Sequence, residues 1–243
     1  MKKAGIMVFI LVSGLSINNG IATAQHASLK DSKNISQVIA LAICGPWETI
    51  RQEQGISLRS RWLTFDETLK TREISLRFVV NSDVQGVLVN LADPERFRTW
   101  NDGVRSLRMI KRSDSTWITH IVYDIPQPFS QQDLVIMHEM ITESRRTIIQ
   151  MVAVPDAVPL LKNVNRQQHY FGQWELVSIN STQTEVKFNA ISFSKTNIPR
   201  FIRDPIIQNK LMQSFIRLKE QSLGKQEVVT AHGTLKNADA PHR

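Results

Sequence analysis

Six strand-forming runs follow one another from Val104 to Phe193, and one long helical segment, Ile198 to about Leu223, comes last. The runs are Val104–Ile110, Thr116–Ile125, Leu134–Ile141, Thr147–Val154, Tyr170–Ile179 and Thr184–Phe193. Breakers such as Ser113-Asp114, Pro126-Gln127-Pro128 and Asn180-Ser181 separate them. Six strands in succession imply antiparallel pairing. In Trp117, Thr119, Ile121 and Tyr123, and again in Val186, Phe188 and Ala190, one face is the more apolar. In the terminal segment Phe201, Ile207, Leu211, Met212, Phe215 and Leu218 share one side, and Arg203, Lys210 and Arg217 recur every seven residues on the other. The apolar side must be buried. A helix of about 26 residues, close to 39 Å long, can cross a curled sheet diagonally and cover one of its faces.

Upstream, Asp31 to Ile43 carries Ile35, Val38, Ile39, Ala42 and Ile43 at helical spacing, which predicts a leading helix closed off by Gly45-Pro46. Trp47–Glu53 and Ile56–Phe65 flank Gln54-Gly55 and predict a hairpin. Ile74, Leu76, Phe78 and Val80 alternate with Ser75, Arg77 and Val79, the period-two mark of a half-buried strand over Glu73–Val80. Asn81-Ser82-Asp83 offers N-cap chemistry to a helix carrying Val84, Val87, Leu88 and Leu91. Asp93-Pro94 then divides that helix from a second short one, Glu95–Trp100.

Met1-Lys2-Lys3, the apolar Ile6–Leu15 and the small-residue site Ala22-Thr23-Ala24 read as a secretory signal cleaved before Gln25, which predicts a periplasmic or secreted protein. The expected organisation is a signal over 1–24, a leader with its helix over 25–46, one domain over 47–224 and a disordered polar tail over 225–243. Cys44 is the single cysteine, so no internal disulfide can form and stability must come from packing. Thirty Lys and Arg against 22 Asp and Glu give +8, a balance that suits an anionic partner. The excess is scattered in short clusters such as Arg59/Arg61 and Arg145/Arg146, which speaks against nucleic acid. The stripe Arg203, Lys210, Arg217 suggests weak, salt-sensitive contact with an anionic membrane.

Catalytic and cofactor signatures are missing from the sequence. His138-Glu139-Met140-Ile141-Thr142 begins like HExxH, but Thr142 stands where the second His belongs. The segment also reads as a strand, on which positions i and i+4 lie too far apart to share a metal. No P-loop, G-x-G-x-x-G or G-x-S-x-G motif occurs. His120 and His138 fall on neighbouring strands and could face one another, although core or surface histidines explain them as well. No cofactor or metal is expected.

The order of elements resembles the START domain, the lipid-transfer module related to steroidogenic acute regulatory protein, within the helix-grip superfamily. The marks are Trp47 with Gly55-Ile56 and the strand to Arg61; Leu91-Ala92-Asp93 leading to Trp100-Asn101; and Tyr123 followed by Pro126, Pro128 and Asp133. Gly172-Gln173-Trp174-Glu175-Leu176 and Asn197-Ile198-Pro199 complete the set, which spans roughly Trp47 to Leu223. The resemblance implies an α+β helix-grip fold, a curved antiparallel sheet gripping a long C-terminal helix. It also implies reversible, non-covalent binding of a lipid or other hydrophobic small molecule by a monomer. Gln132-Asp133 stands where the family often has Arg-Asp, and Arg166 can take the place of the arginine that precedes the strand reaching Trp174. The ligand-contacting set expected on this basis is Arg166, Trp174, Phe188, Phe201, Met212 and Phe215. Trp174 reads equally as a core aromatic, and Arg166 as half of a surface ion pair. A rival reading is an enzyme of cyclase or hydrolase type on the same scaffold, using a pocket His or carboxylate, because a fold does not fix function. A filled core with only a protein-binding surface is the third.

Overall fold

The structure, a computed structural model, describes Leu29 and residues 31–67, 69–125, 130–193 and 200–222, without the side chains of 200–203. The expected signal and tail, the Pro126 and Pro128 segment and Asn197-Ile198-Pro199 lie outside the described residues.

The leading helix is α1 (Ile35–Ala40), N-capped by the Asn34 side chain, which accepts from the amide of Gln37. It is shorter than the spacing predicts, because Ile43–Cys44 becomes strand β1 and pairs with Leu63–Thr64. The hairpin of β2 (Glu48–Glu53) and β3 (Ile56–Thr64) forms as expected. Its two turn residues, Gln54 and Gly55, both have positive φ, 50° and 73°, as a two-residue type I′ turn requires. β4 (Lys70–Val80) follows, then α2 (Val84–Ala92) and α3 (Pro94–Trp100). Asp83 and Asp93 cap the two helices by accepting from Gly86 N and Arg96 N, each at 2.8 Å, and Pro94 occupies the first turn of α3, where a missing N–H costs nothing.

The six expected strands appear as β5 (Val104–Lys111), β6 (Thr116–Tyr123), β7 (Gln131–Glu143), β8 (Arg146–Ala153), β10 (His169–Asn180) and β11 (Gln183–Phe193). A three-residue strand, β9 (Val164–Arg166), is inserted before β10 and pairs in parallel with Gln131–Asp133. The terminal helix, α4, is described over Arg200–Gln221, 22 residues or about 33 Å. The 11 strands form one sheet in the order β1-β3-β4-β11-β10-β8-β7-β6-β5, with β2 on β3 and β9 on β7.

Inward-pointing residues of successive strands fall in register. Ile74 lies opposite Ala190, Leu76 opposite Phe188, and Phe188 opposite Trp174. On this face α4 buries Ile207, Leu211, Met212, Phe215 and Leu218. The Phe215 ring touches four others, with centroids 5.3 Å from Phe188, 5.5 Å from Trp174, 5.9 Å from Phe78 and 6.4 Å from Trp100. The sequence predicts cover on one face of the sheet, yet the other face is partly covered as well. There Leu29, Ile35 and Val38 pack against Leu63, Phe171, Ile191 and Phe193 in a second, smaller core.

Two residues of the basic stripe, Arg217 and Lys210, both reach Asp102 in the α3–β5 turn. Farther along, Lys219 Nζ donates to the Gln54 carbonyl at 2.7 Å, tying the end of the helix to the tip of the hairpin. Because Phe215 is fully buried at the centre of the inner core, Phe215→Ala should cost about 3–5 kcal/mol of stability. Urea unfolding of the variant beside the parent protein measures it.

Candidate functional site

A cavity lies between the sheet and the α2–α3 pair. Its roof is Leu91, Phe97 and Trp100, and its floor includes Trp117, Tyr123, His138, Tyr170, Trp174 and Phe188. Met212 and Phe215, expected as ligand contacts, do not line this cavity. They are fully buried in the core beside it, and Phe215 stacks on the Trp174 wall. Trp174 and Phe188 do line the cavity. The side chain of Phe201 is outside the described residues. The cavity volume is about 30 Å³, room for two or three water molecules at about 10–15 Å³ each. Gly172 sits behind the floor, where a Cβ would come within 2.7 Å of Met151 Cε and 2.9 Å of Tyr170 Oη.

Among the described residues that line the cavity there is no Asp, Glu, Lys or Arg. Its polar character comes from neutral groups. Trp117 and His138 lie opposite each other on β6 and β7, and their rings stack with centroids 4.8 Å apart and planes within 5°. Trp117 Nε1, His138 Nε2 and Tyr123 Oη are buried without a hydrogen-bond partner. Burial drives the His138 pKa from 6.5 down to about 3, so the imidazole is neutral in the folded protein. Burial also lifts both phenols well above their ordinary value, with the neighbouring Tyr170 adding to the effect at Tyr123.

His120 and His138 do not face one another. His120 lies opposite Val135 and His138 opposite Trp117, so alternation sends the two rings to different faces of the sheet. On the face away from the cavity, His120 Nε2 lies 2.8 Å from Asp133 Oδ2. Arg166, expected as a ligand anchor, is there too and does not line the cavity. Its Nε and Nη2 donate to Asp133, the Nη2 bond at 2.5 Å. Nη1 donates to the carbonyls of Pro155 and Val158, and Nη2 also to that of Pro159. All five N–H groups of the guanidinium are thus taken. Burial by itself would raise the Asp133 carboxyl, but the hydrogen bonds from His120 and Arg166 outweigh it and hold the pKa below the ordinary value. The parallel pairing of β9 with β7 sets Arg166 opposite Asp133. His120 meets its carboxylate on the far face, and no described residue lining the cavity brings a carboxylate to His138.

No protein-family model matches the chain, and no curated protein matches it. Solved structures do. A STAR-related lipid transfer protein from Xanthomonas axonopodis is 20% identical with a TM-score of 0.63, over 73% of this chain and 99% of that one. Human STARD10 is 15% identical with a TM-score of 0.59, over 86% of this chain and 81% of that one. Human StAR-related lipid transfer protein 5 is 15% identical with a TM-score of 0.57, over 72% of this chain and 86% of that one. At such identities the likeness is one of architecture, and the architecture is the START-like helix grip: a curved antiparallel sheet with a long C-terminal helix across its inner face.

Two outcomes follow from the site's electrostatics. Arg166 and Asp133 side chains are each 1% exposed, so Arg166→Met, which strands a buried carboxylate, should lower stability by about 3–5 kcal/mol, read by urea unfolding. For His138 the unfolded chain takes up a proton below pH 6.5 that the folded one refuses until about pH 3. Its contribution therefore weakens stability as the pH falls through that window, by up to about 1.4 kcal/mol per pH unit, and is absent above it. His138→Gln should flatten the acid limb of stability against pH by that slope.

Proposed function

We propose that the protein binds a hydrophobic small molecule of the lipid class, reversibly and without covalent chemistry, in the cavity between the sheet and α2–α3. The observation that carries this reading is an aromatic cavity with no charged residue among its described lining residues, three of which hold a buried polar atom without a partner. Each such atom costs about 1–3 kcal/mol, and an apolar replacement of the same shape would remove the cost. The START-like fold supports the same reading, since two of the solved structures that share it are named as lipid transfer proteins. Export to the periplasm or the medium belongs to the proposal, supported by the apolar N-terminal stretch and the Ala22-Thr23-Ala24 site.

At about 30 Å³ the cavity is too small for a lipid. A lipid-sized guest must part the roof from the floor, and the groups that yield are rings in van der Waals contact. Across that seam Trp100 of the roof packs edge-on against Trp174 of the floor, with centroids 6.3 Å apart. The guest replaces ring contacts with its own apolar surface, so opening exchanges like for like.

The test is native mass spectrometry of protein purified from its own host, with a titration of the neutral apolar fluorophore N-phenyl-1-naphthylamine. A retained small-molecule mass or saturable probe binding is expected. Gly172→Ala, whose Cβ displaces the cavity-lining Met151 and Tyr170, should weaken probe binding about threefold or more while costing about 1–3 kcal/mol of stability. A consistently ligand-free protein with no saturable probe binding would overturn the proposal and leave a solid core.

A further inference from the structure

The geometry points to a recognition site for a neutral hydroxyl group at the Trp117–His138 wall, so that the ligand is an uncharged alcohol or phenol with an apolar body. This rests on the reading that the cavity takes a ligand, and it adds which chemical class enters.

The two side chains form one built feature. They are cross-strand neighbours on β6 and β7, their rings are parallel and in contact, and both line the cavity. Trp117 is 9% and His138 6% exposed, and each holds a buried ring nitrogen with no partner. Stacking fixes the rings, so the nitrogens are oriented before any ligand arrives, which lowers the ordering cost of binding.

Their hydrogen-bonding capacities select the guest. Indole Nε1–H can only donate. The neutral imidazole Nε2 donates in one tautomer and accepts in the other. A hydroxyl oxygen can accept from Trp117, and it can meet His138 in either tautomer because it carries both a proton and lone pairs. A ketone satisfies Trp117 but meets only the protonated form of Nε2. A carboxylate or phosphate would have to shed its hydration in a cavity whose described lining holds no cation, and an ammonium group would find no anion. His138 cannot supply the missing charge, since burial keeps it neutral far below physiological pH. Farther along the same face of β6, Tyr123 Oη is a second uncharged polar point without a partner, which adds no affinity for charge.

Equilibrium dialysis at pH 7.5 with three probes of one skeleton, naphthalene, 2-naphthol and 2-naphthoate, tests the assignment on the unmodified protein. The expected result is that 2-naphthol binds about tenfold more tightly than naphthalene and at least about tenfold more tightly than 2-naphthoate. His138→Phe keeps a stacked ring and removes the nitrogens, and Trp117→Phe removes the N–H. Each should reduce the 2-naphthol advantage to about threefold or less while changing naphthalene binding less than about twofold. Equal binding of naphthalene and 2-naphthol, 2-naphthoate bound as tightly as 2-naphthol, or an advantage that survives both substitutions would overturn the hydroxyl site and leave the apolar-ligand reading standing. If none of the three binds, the cavity is not a ligand site and both readings fall together.

Discussion

Phe215 is the contact on which the rest of the molecule depends. A curved antiparallel sheet with an apolar inner face cannot exist alone in water, and a single helix has to cover the middle of that face. Phe215 does so by placing one ring against Phe78, Trp100, Trp174 and Phe188 at once, joining α4, the α3 roof and three strands of the sheet. Polar ties at the edges then hold the helix in its track: Arg217 and Lys210 on Asp102, and Lys219 on the hairpin tip. Because the helix is so committed, the hollow lies beside it, under the shorter α2–α3 pair.

Charge is distributed across the sheet according to this geometry. The buried Arg166–Asp133 pair sits on the face away from the cavity, where it clamps the turn at Pro155–Pro159 and β9 onto β7. The described residues that line the cavity carry only neutral polar atoms. A sheet one residue thick can separate the two environments because neighbouring residues on a strand point to opposite faces: Asp133 and Leu134 are adjacent in the chain and serve different chemistry. The separation has an energetic logic. The ion pair is satisfied within a lattice of carbonyls and stabilises, whereas the Trp117, His138 and Tyr123 atoms are unsatisfied and cost stability until something binds them.

Much of the scaffold was legible in the residue pattern, and for local reasons. Period-two alternation marked Ile74–Val80, the Gln54-Gly55 turn marked the hairpin, and Asp83 and Asp93-Pro94 set the starts of α2 and α3. The elements that escaped are those with little local signal. β1 and β9 have two and three residues, too few for any period to show, and exist only because a neighbouring strand offers hydrogen bonds. Of the expected site, Trp174 and Phe188 line the cavity, while Met212 and Phe215 pack beside it and Arg166 serves the far face. The apolar face of Trp117, Thr119, Ile121 and Tyr123 was visible as a face, but nothing in it said that His138 would stack on Trp117.

The sequence by itself determined the kinds of element, their order, the face each turns inward and the need for a terminal helix, because helix and strand periods, caps and turns are properties of neighbouring residues. Only the tertiary structure decided that β4 lies beside β11, with Ile74 against Ala190 across more than a hundred residues, that Arg166 finds Asp133, and that His138 and Trp117 share a wall. Strand order and register are set by the joint burial of one inner face under one helix, and no local stretch of chain encodes that sum.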